Sequence, residues 1–102
     1  MPEIKSLSPP ALLIDAEERH RLYPERFEIP ALEVRIAGQV GFLAKIGFEH
    51  PEYGGERFWV EIVEVREDGQ YVGRVDNDLE DYWEINFNDL VLFEPKHIMD
   101  AK

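Results

Sequence analysis

The residues closest to a known chemistry are the acids of Asp76-Asn77-Asp78-Leu79-Glu80-Asp81. Clustered carboxylates beside an amide are what a calcium loop uses, because a hard cation takes six to eight oxygen ligands. The spacing denies it. With Asp76 as the first position of such a loop, the sixth is Asp81, where a glycine must turn the chain. The twelfth is Phe87, where a bidentate Glu belongs. The stretch reads instead as a solvated acidic loop in which Asn77 and Asp78 cap backbone groups. No metal and no cofactor is expected.

The three histidines, His20, His50 and His97, are spread along the chain with no spacing that groups them for zinc or catalysis. Ser6 and Ser8 are the only serines and there is no threonine. A nucleophile in that proline-rich stretch lacks a rigid support. Carboxylates abound, but general acid–base work needs a perturbed group in a cleft. No catalytic residue is assigned. A site built from Asp78, His97 and Arg57 is the enzymatic alternative.

The cluster that points to binding is Glu56-Arg57-Phe58-Trp59. On a strand, Arg57 and Trp59 share one face, opposite Phe58 and Val60. Together with Arg74 and Trp83 they make a candidate patch of the residue types enriched at binding hot spots. The competing reading is structural: Trp59 lies under a helix and Arg57 pairs with a neighbouring acid.

Positioning these residues falls to one domain of 102 residues. Two Trp, six Phe and four Tyr supply a core. Eleven Lys and Arg face twenty-two Asp and Glu, a formal net charge of −11. Such a surface opposes nucleic-acid phosphates and anionic lipid and suits a basic partner protein. There is no cysteine, hence no disulfide and no thiolate metal site. No apolar run is long enough to cross a bilayer and no leader pattern is evident, so a cytoplasmic protein without a membrane partner is expected.

Residues 1–10, with three prolines, read as an extended arm before a single globular unit over 11–102. Ala11 to Ile14 suits a short edge strand. Asp15 is an N-cap with Glu18 three residues on, opening a helix that Pro24 closes. Pro30 to Ala37 suits another helical turn, with Ala31, Val34 and Ala37 on one side and Gly38 ending it. From Val40 the period becomes two: Val40, Phe42, Ala44, Ile46 and Phe48 face inward. Arg57 to Arg66 is the next strand. Its inward phase slips after Ile62, which predicts a β-bulge. Glu67-Asp68-Gly69 turns into a strand over Gln70 to Val75. Tyr82 to Phe87 is expected as a strand, Asn88-Asp89 as a turn, Leu90 to Phe93 as the last strand and Pro95 to Met99 as a 3₁₀ turn. The fold class that follows is α+β, mostly β: a strongly bent antiparallel sheet or small, partly open β-barrel of four to five strands with a short N-terminal helix packed on it.

Five segments also resemble a known family. They are Phe27-Glu28-Ile29-Pro30, Lys45 to Glu49, Glu56 to Ile62, Gly73 to Asp78, and Phe93-Glu94-Pro95-Lys96-His97-Ile98. Together they are similar to the YegJ-like family of uncharacterised bacterial domains, over about Asp15 to Met99. The matching motif positions are Glu56, Arg57, Trp59, Asn77, Asp78 and His97. The resemblance implies an α+β domain with a curled sheet and no reaction to carry over. Where a Gly-Asp turn is often seen before the last strand, this chain has Asn88-Asp89. Some related small domains sit among toxin-immunity proteins, so the resemblance also points toward partner binding.

The expected function is a non-catalytic, acidic, protein-binding module, immunity-like or regulatory. The alternative is a small-barrel nucleic-acid binder using Lys45, Arg57, Arg74 and Lys96, which the net charge disfavours.

Overall fold

The computed structural model describes residues 3–102. Its strands are β1 (Ile4–Lys5), β2 (Leu12–Leu13), β3 (Leu43–His50), β4 (Gly54–Val65), β5 (Tyr71–Val75), β6 (Leu90–Phe93) and β7 (Asp100–Ala101). Two short helices, α1 (Ala16–Leu22) and α2 (Leu32–Ile36), precede β3. The 3₁₀ turns Asp81–Trp83 and Pro95–His97 flank β6. The strand order is β1-β6-β5-β4-β3-β2, with β7 sharing the outer edge of β3 with β2.

This order corrects the expected architecture. The sheet is open, not a β-barrel and not strongly curled. It has seven strands rather than four or five, and it is mixed, because β1 joins β6 in parallel. The expectation of closure came from apolar content too rich for a one-sided sheet. That content is absorbed differently. The long loop after β5 folds Leu79, Trp83 and Ile85 onto the inner face and Ile98 joins them. These side chains are the second layer that a closed barrel would have supplied.

The inner face is built as alternation dictates. Ala44, Ile46 and Phe48 of β3, Phe58, Val60 and Ile62 of β4, Tyr71 and Val75 of β5, and Val91 and Phe93 of β6 are all buried. The register shifts between Ile62 and Glu64, at the place where the sequence phase slips. Asp15 caps α1 by accepting from the Glu18 amide at 3.0 Å, and the helix stops at Leu22.

Two expectations within the strands fail. Val40 and Phe42 do not join the inward row; both are exposed, Phe42 at 46%. Gly41 takes a φ of +96°, which turns the chain before the strand starts at Leu43. The segment Tyr82 to Phe87 is not a strand. A 3₁₀ turn through Trp83 is followed by Glu84 in the left-handed region, so Trp83 and Ile85 are buried while Phe87 is exposed.

On the outer face a second, smaller cluster of Ile14, Ala16 and Met99, with Phe27 and Ile29 against it, covers the middle of β3. Gly47 makes this possible. A Cβ there would lie 2.9 Å from Met99 Cε and 3.0 Å from Ile14 Cδ1. Arg35 ties this N-terminal layer together. It is 6% exposed and donates to the carbonyls of Pro30 and Pro95 and to the Glu17 carboxylate. The Tyr71 hydroxyl reaches out of the core to donate to the Arg35 carbonyl at 2.7 Å and accept from the Gly38 amide.

Candidate functional site

The β3–β4 register places Lys45 opposite Trp59 and Gly47 opposite Arg57, all on the outer face. Arg57 and Trp59 therefore share a face, as the alternation requires. β7 lies against the first half of β3, with Lys45 paired to Asp100 and Ala44 to Ala101. Lys102 follows directly, held by its amide donating to the Leu43 carbonyl at 2.9 Å. Its ammonium stands 4.7 Å from the Trp59 ring centroid, and that of Lys45 stands 5.9 Å away. The Arg57 guanidinium lies over the Phe27 ring at 5.1 Å. The turn after α1 delivers Arg26 and Phe27: both amides donate to the Tyr23 carbonyl, and His20 Nδ1 lies 2.8 Å from the Phe27 carbonyl. Arg26, Phe27, Glu28, Lys45, Arg57, Met99 and Asp100 line a polar cleft of about 200 Å³.

The charges of this face set it apart. Of the eleven Lys and Arg, seven lie within ion-pair distance of a carboxylate: Lys5, Arg19, Arg21, Arg35, Arg66, Arg74 and Lys96. Among the described residues the other four are Arg26, Lys45, Arg57 and Lys102. Each of them stacks on Trp59 or Phe27 or lines the cleft beside Phe27. In a chain with twice as many acids as cations, carboxylate partners are not scarce. Glu28 and Asp100 line the same cleft yet lie beyond 4.0 Å of all four cations.

The four residues of the expected patch part company. Arg57 is exposed and Trp59 half-buried on this face, and the ammonium groups of Lys102 and Lys45 stand over the Trp59 ring. Arg74 shares the outer face, but it is neutralised by Glu61 and bonded to Asn88 Oδ1. Trp83 is on the other side of the sheet, 2% exposed in the core, its Nε1 donating to Glu56 Oε1 at 2.7 Å.

The positions that carry the resemblance, Glu56, Asn77, Asp78 and His97, have mostly architectural work. Glu56 holds Trp83 and accepts from the Glu80 amide at 3.2 Å. Asn77 Oδ1 accepts from the Trp59 amide at 2.6 Å, pinning the acidic loop to β4. Asp78 is exposed. His97 Nδ1 accepts from the Glu94 amide at 2.9 Å, which needs that nitrogen unprotonated. Neither Asp78 nor His97 lines any of the five main clefts among the described residues, two of which Arg57 lines. Among the described residues no three His, Asp or Glu gather as cation ligands, and no helix is long and apolar enough to cross a membrane.

Burial is the main reason that the His97 imidazole titrates below its ordinary value. Lys96 pushes the same way, while Glu94, Asp15 and Glu17 pull against it. The unfolded chain therefore takes up this proton first. The His97 contribution to stability is full above about pH 6.5, falls as pH drops through that value toward the folded pKa, and then levels off. Urea unfolding of the protein and its His97→Gln variant between pH 7.5 and 5 checks this. The parent should lose stability more steeply than the variant below pH 6.5, and parallel curves would show His97 to be uninvolved.

Sequence reasoning missed Arg26, Phe27 and Lys102. Nothing local in the sequence links them to Arg57; chain reversal after α1 and the β7–β3 pairing bring them there. Comparison with family models, with curated proteins and with solved structures returns no match.

Proposed function

We propose that this domain is a non-catalytic protein-binding module that holds a short acidic segment of a partner on the outer face of β3 and β4. The observation that carries this reading is the gathering of the four cations without carboxylate partners around Trp59 and Phe27. Arginine forks recognise carboxylates in pairs, and a stacked ring fixes the guanidinium plane that presents them. Net charge alone suggests a basic partner. At physiological salt, however, charges are felt over about 8 Å, so the local set governs what docks here.

The same arithmetic separates a protein from a nucleic acid. A patch of four cations meets a short acidic stretch completely. A duplex carries a charge for about every 1.7 Å of its axis and would run off the patch onto acidic surface. The motif resemblance supports the same class of function, and membership of the YegJ-like family is proposed on Glu56, Arg57, Trp59, Asn77, Asp78 and His97.

Selection from a displayed library of random nonapeptides tests the reading. Enriched peptides should carry several Asp or Glu beside an aromatic or aliphatic residue. Their affinity should fall at least about 10-fold with Arg57→Glu and with added salt, and less than about 2-fold with Lys96→Gln. Selected peptides that are not acidic would overturn it. So would a single-stranded oligonucleotide binding more tightly than any of them.

A further inference from the structure

We infer that a second site, between α2 and the start of β3, binds an aliphatic chain ending in a single carboxylate. A cleft of about 360 Å³ opens there, with walls that include Val34, Phe42, Leu43, Ile62, Ile98 and Ala101. Its size falls within the range of small-molecule pockets, and its lining is almost wholly apolar, as such pockets require. Ile62 and Ile98 belong to the core, so the floor is rigid. The rim is apolar and open to water, with Val34 at 52% and Phe42 at 46% exposure. Ile36 and Val40 nearby in the chain are exposed as well. A five-residue helix that turns Val34 and Ile36 outward, while burying Arg35, is inverted from the ordinary pattern. An open cleft with apolar walls and an apolar rim marks a binding site rather than a scatter of surface residues.

The polar groups of the cleft decide the head group. Three charged residues line it: Glu33, Arg35 and Lys102. The Arg35 guanidinium is committed to two carbonyls and Glu17. Lys102 is one of the four cations without a carboxylate; it lines the cleft, and its ammonium stands 4.7 Å from the centroid of the Trp59 ring just outside it. An alkyl carboxylate buries its chain against the walls and gives Lys102 its missing partner. Glu33 disfavours a dianionic head. The apolar cleft is separate from the acidic-segment patch, and Lys102 is the one residue common to both.

Titration calorimetry with decanoate, 1-decanol and decylamine tests this. Decanoate should bind saturably and at least 10-fold more tightly than decylamine. Ala37→Trp, which fills the cleft from an exposed position, should weaken decanoate at least 10-fold, and Val34→Arg is the second variant should Ala37→Trp not fold. Lys102→Gln should weaken decanoate at least 3-fold and leave 1-decanol within 2-fold. Arg57→Glu, outside the cleft, should leave decanoate within 2-fold even where it abolishes peptide binding. Decanoate that fails to saturate, equal binding by the folded cleft variants, or a dimer that Ala37→Trp dissociates in sedimentation would each overturn the assignment.

Discussion

Trp83→Ala is expected to destabilise the domain by about 3–5 kcal/mol, the range for removing a large buried aromatic. Trp83 is 2% exposed and packs against Phe48 with ring centroids 5.4 Å apart; Phe48 in turn meets Phe58 edge-on at 4.6 Å. Trp83 is also what fastens the loop after β5 to the inner face, since its Nε1 donates to Glu56. Its removal opens a cavity and frees the lid over the sheet together. Stabilities of small domains are about 5–15 kcal/mol, so the variant should be marginal at room temperature. Trp83→Phe separates the two contributions. It keeps most of the packing and loses the bond to Glu56, for a cost of about 1–2 kcal/mol. Urea unfolding followed by circular dichroism reads both. A loss below 1 kcal/mol for Trp83→Ala would mean that the loop does not form the second layer.

Arg35→Met is expected to cost about 2–3 kcal/mol. Breaking a buried ion pair by removing one partner usually costs about 3–5 kcal/mol. Here the Glu17 side chain is 45% exposed and can rehydrate, which lowers the figure. The carbonyls of Pro30 and Pro95 also lose their donor. Arg35→Lys should recover less than half of the loss, because an ammonium cannot span three acceptors that a planar fork reaches from two sides. The same unfolding assay checks both variants. A change within 0.5 kcal/mol for Arg35→Met would show that α1, α2 and the Pro95 turn are held by other contacts.

Legibility in the sequence followed how local the determining interaction is. The Asp15 cap, the Gly69 turn, the slip after Ile62 and the Leu90–Phe93 strand each depend on residues a few positions apart, and each was readable. Tyr82 to Phe87 misled because Trp83, Ile85 and Phe87 alternate as a strand would. The actual conformation is set by side-chain bonds that periodicity does not register. Asn86 accepts from the Leu79 amide and donates to the Leu79 carbonyl, while its own amide donates to Asp89. Arg35 carries no signal in the sequence that it is buried: its three acceptors, the carbonyls of Pro30 and Pro95 and the Glu17 carboxylate, are mostly distant in the chain.

The candidate site shows the same division. Arg57 and Trp59 were legible because two strand positions share a face. Trp83 lies on the opposite side of the sheet from the patch, because its segment is a 3₁₀ turn and not the strand that alternation predicts. Arg26 and Lys102 reach Arg57 only through the chain reversal after α1 and the pairing of β7 with β3. Net charge summed over the chain concealed the patch, since the acidic excess is spread elsewhere.

Whether the outer face of β3 and β4 receives an acidic segment is read most directly by backbone amide shift mapping with the selected peptide on the full chain. The largest shifts are predicted at Arg26, Phe27, Lys45, Arg57, Trp59 and Lys102, vanishing in Arg57→Glu while the rest of the spectrum is retained. Shifts centred on the acidic loop around Asp78, or unchanged by the charge reversal, would contradict the assignment.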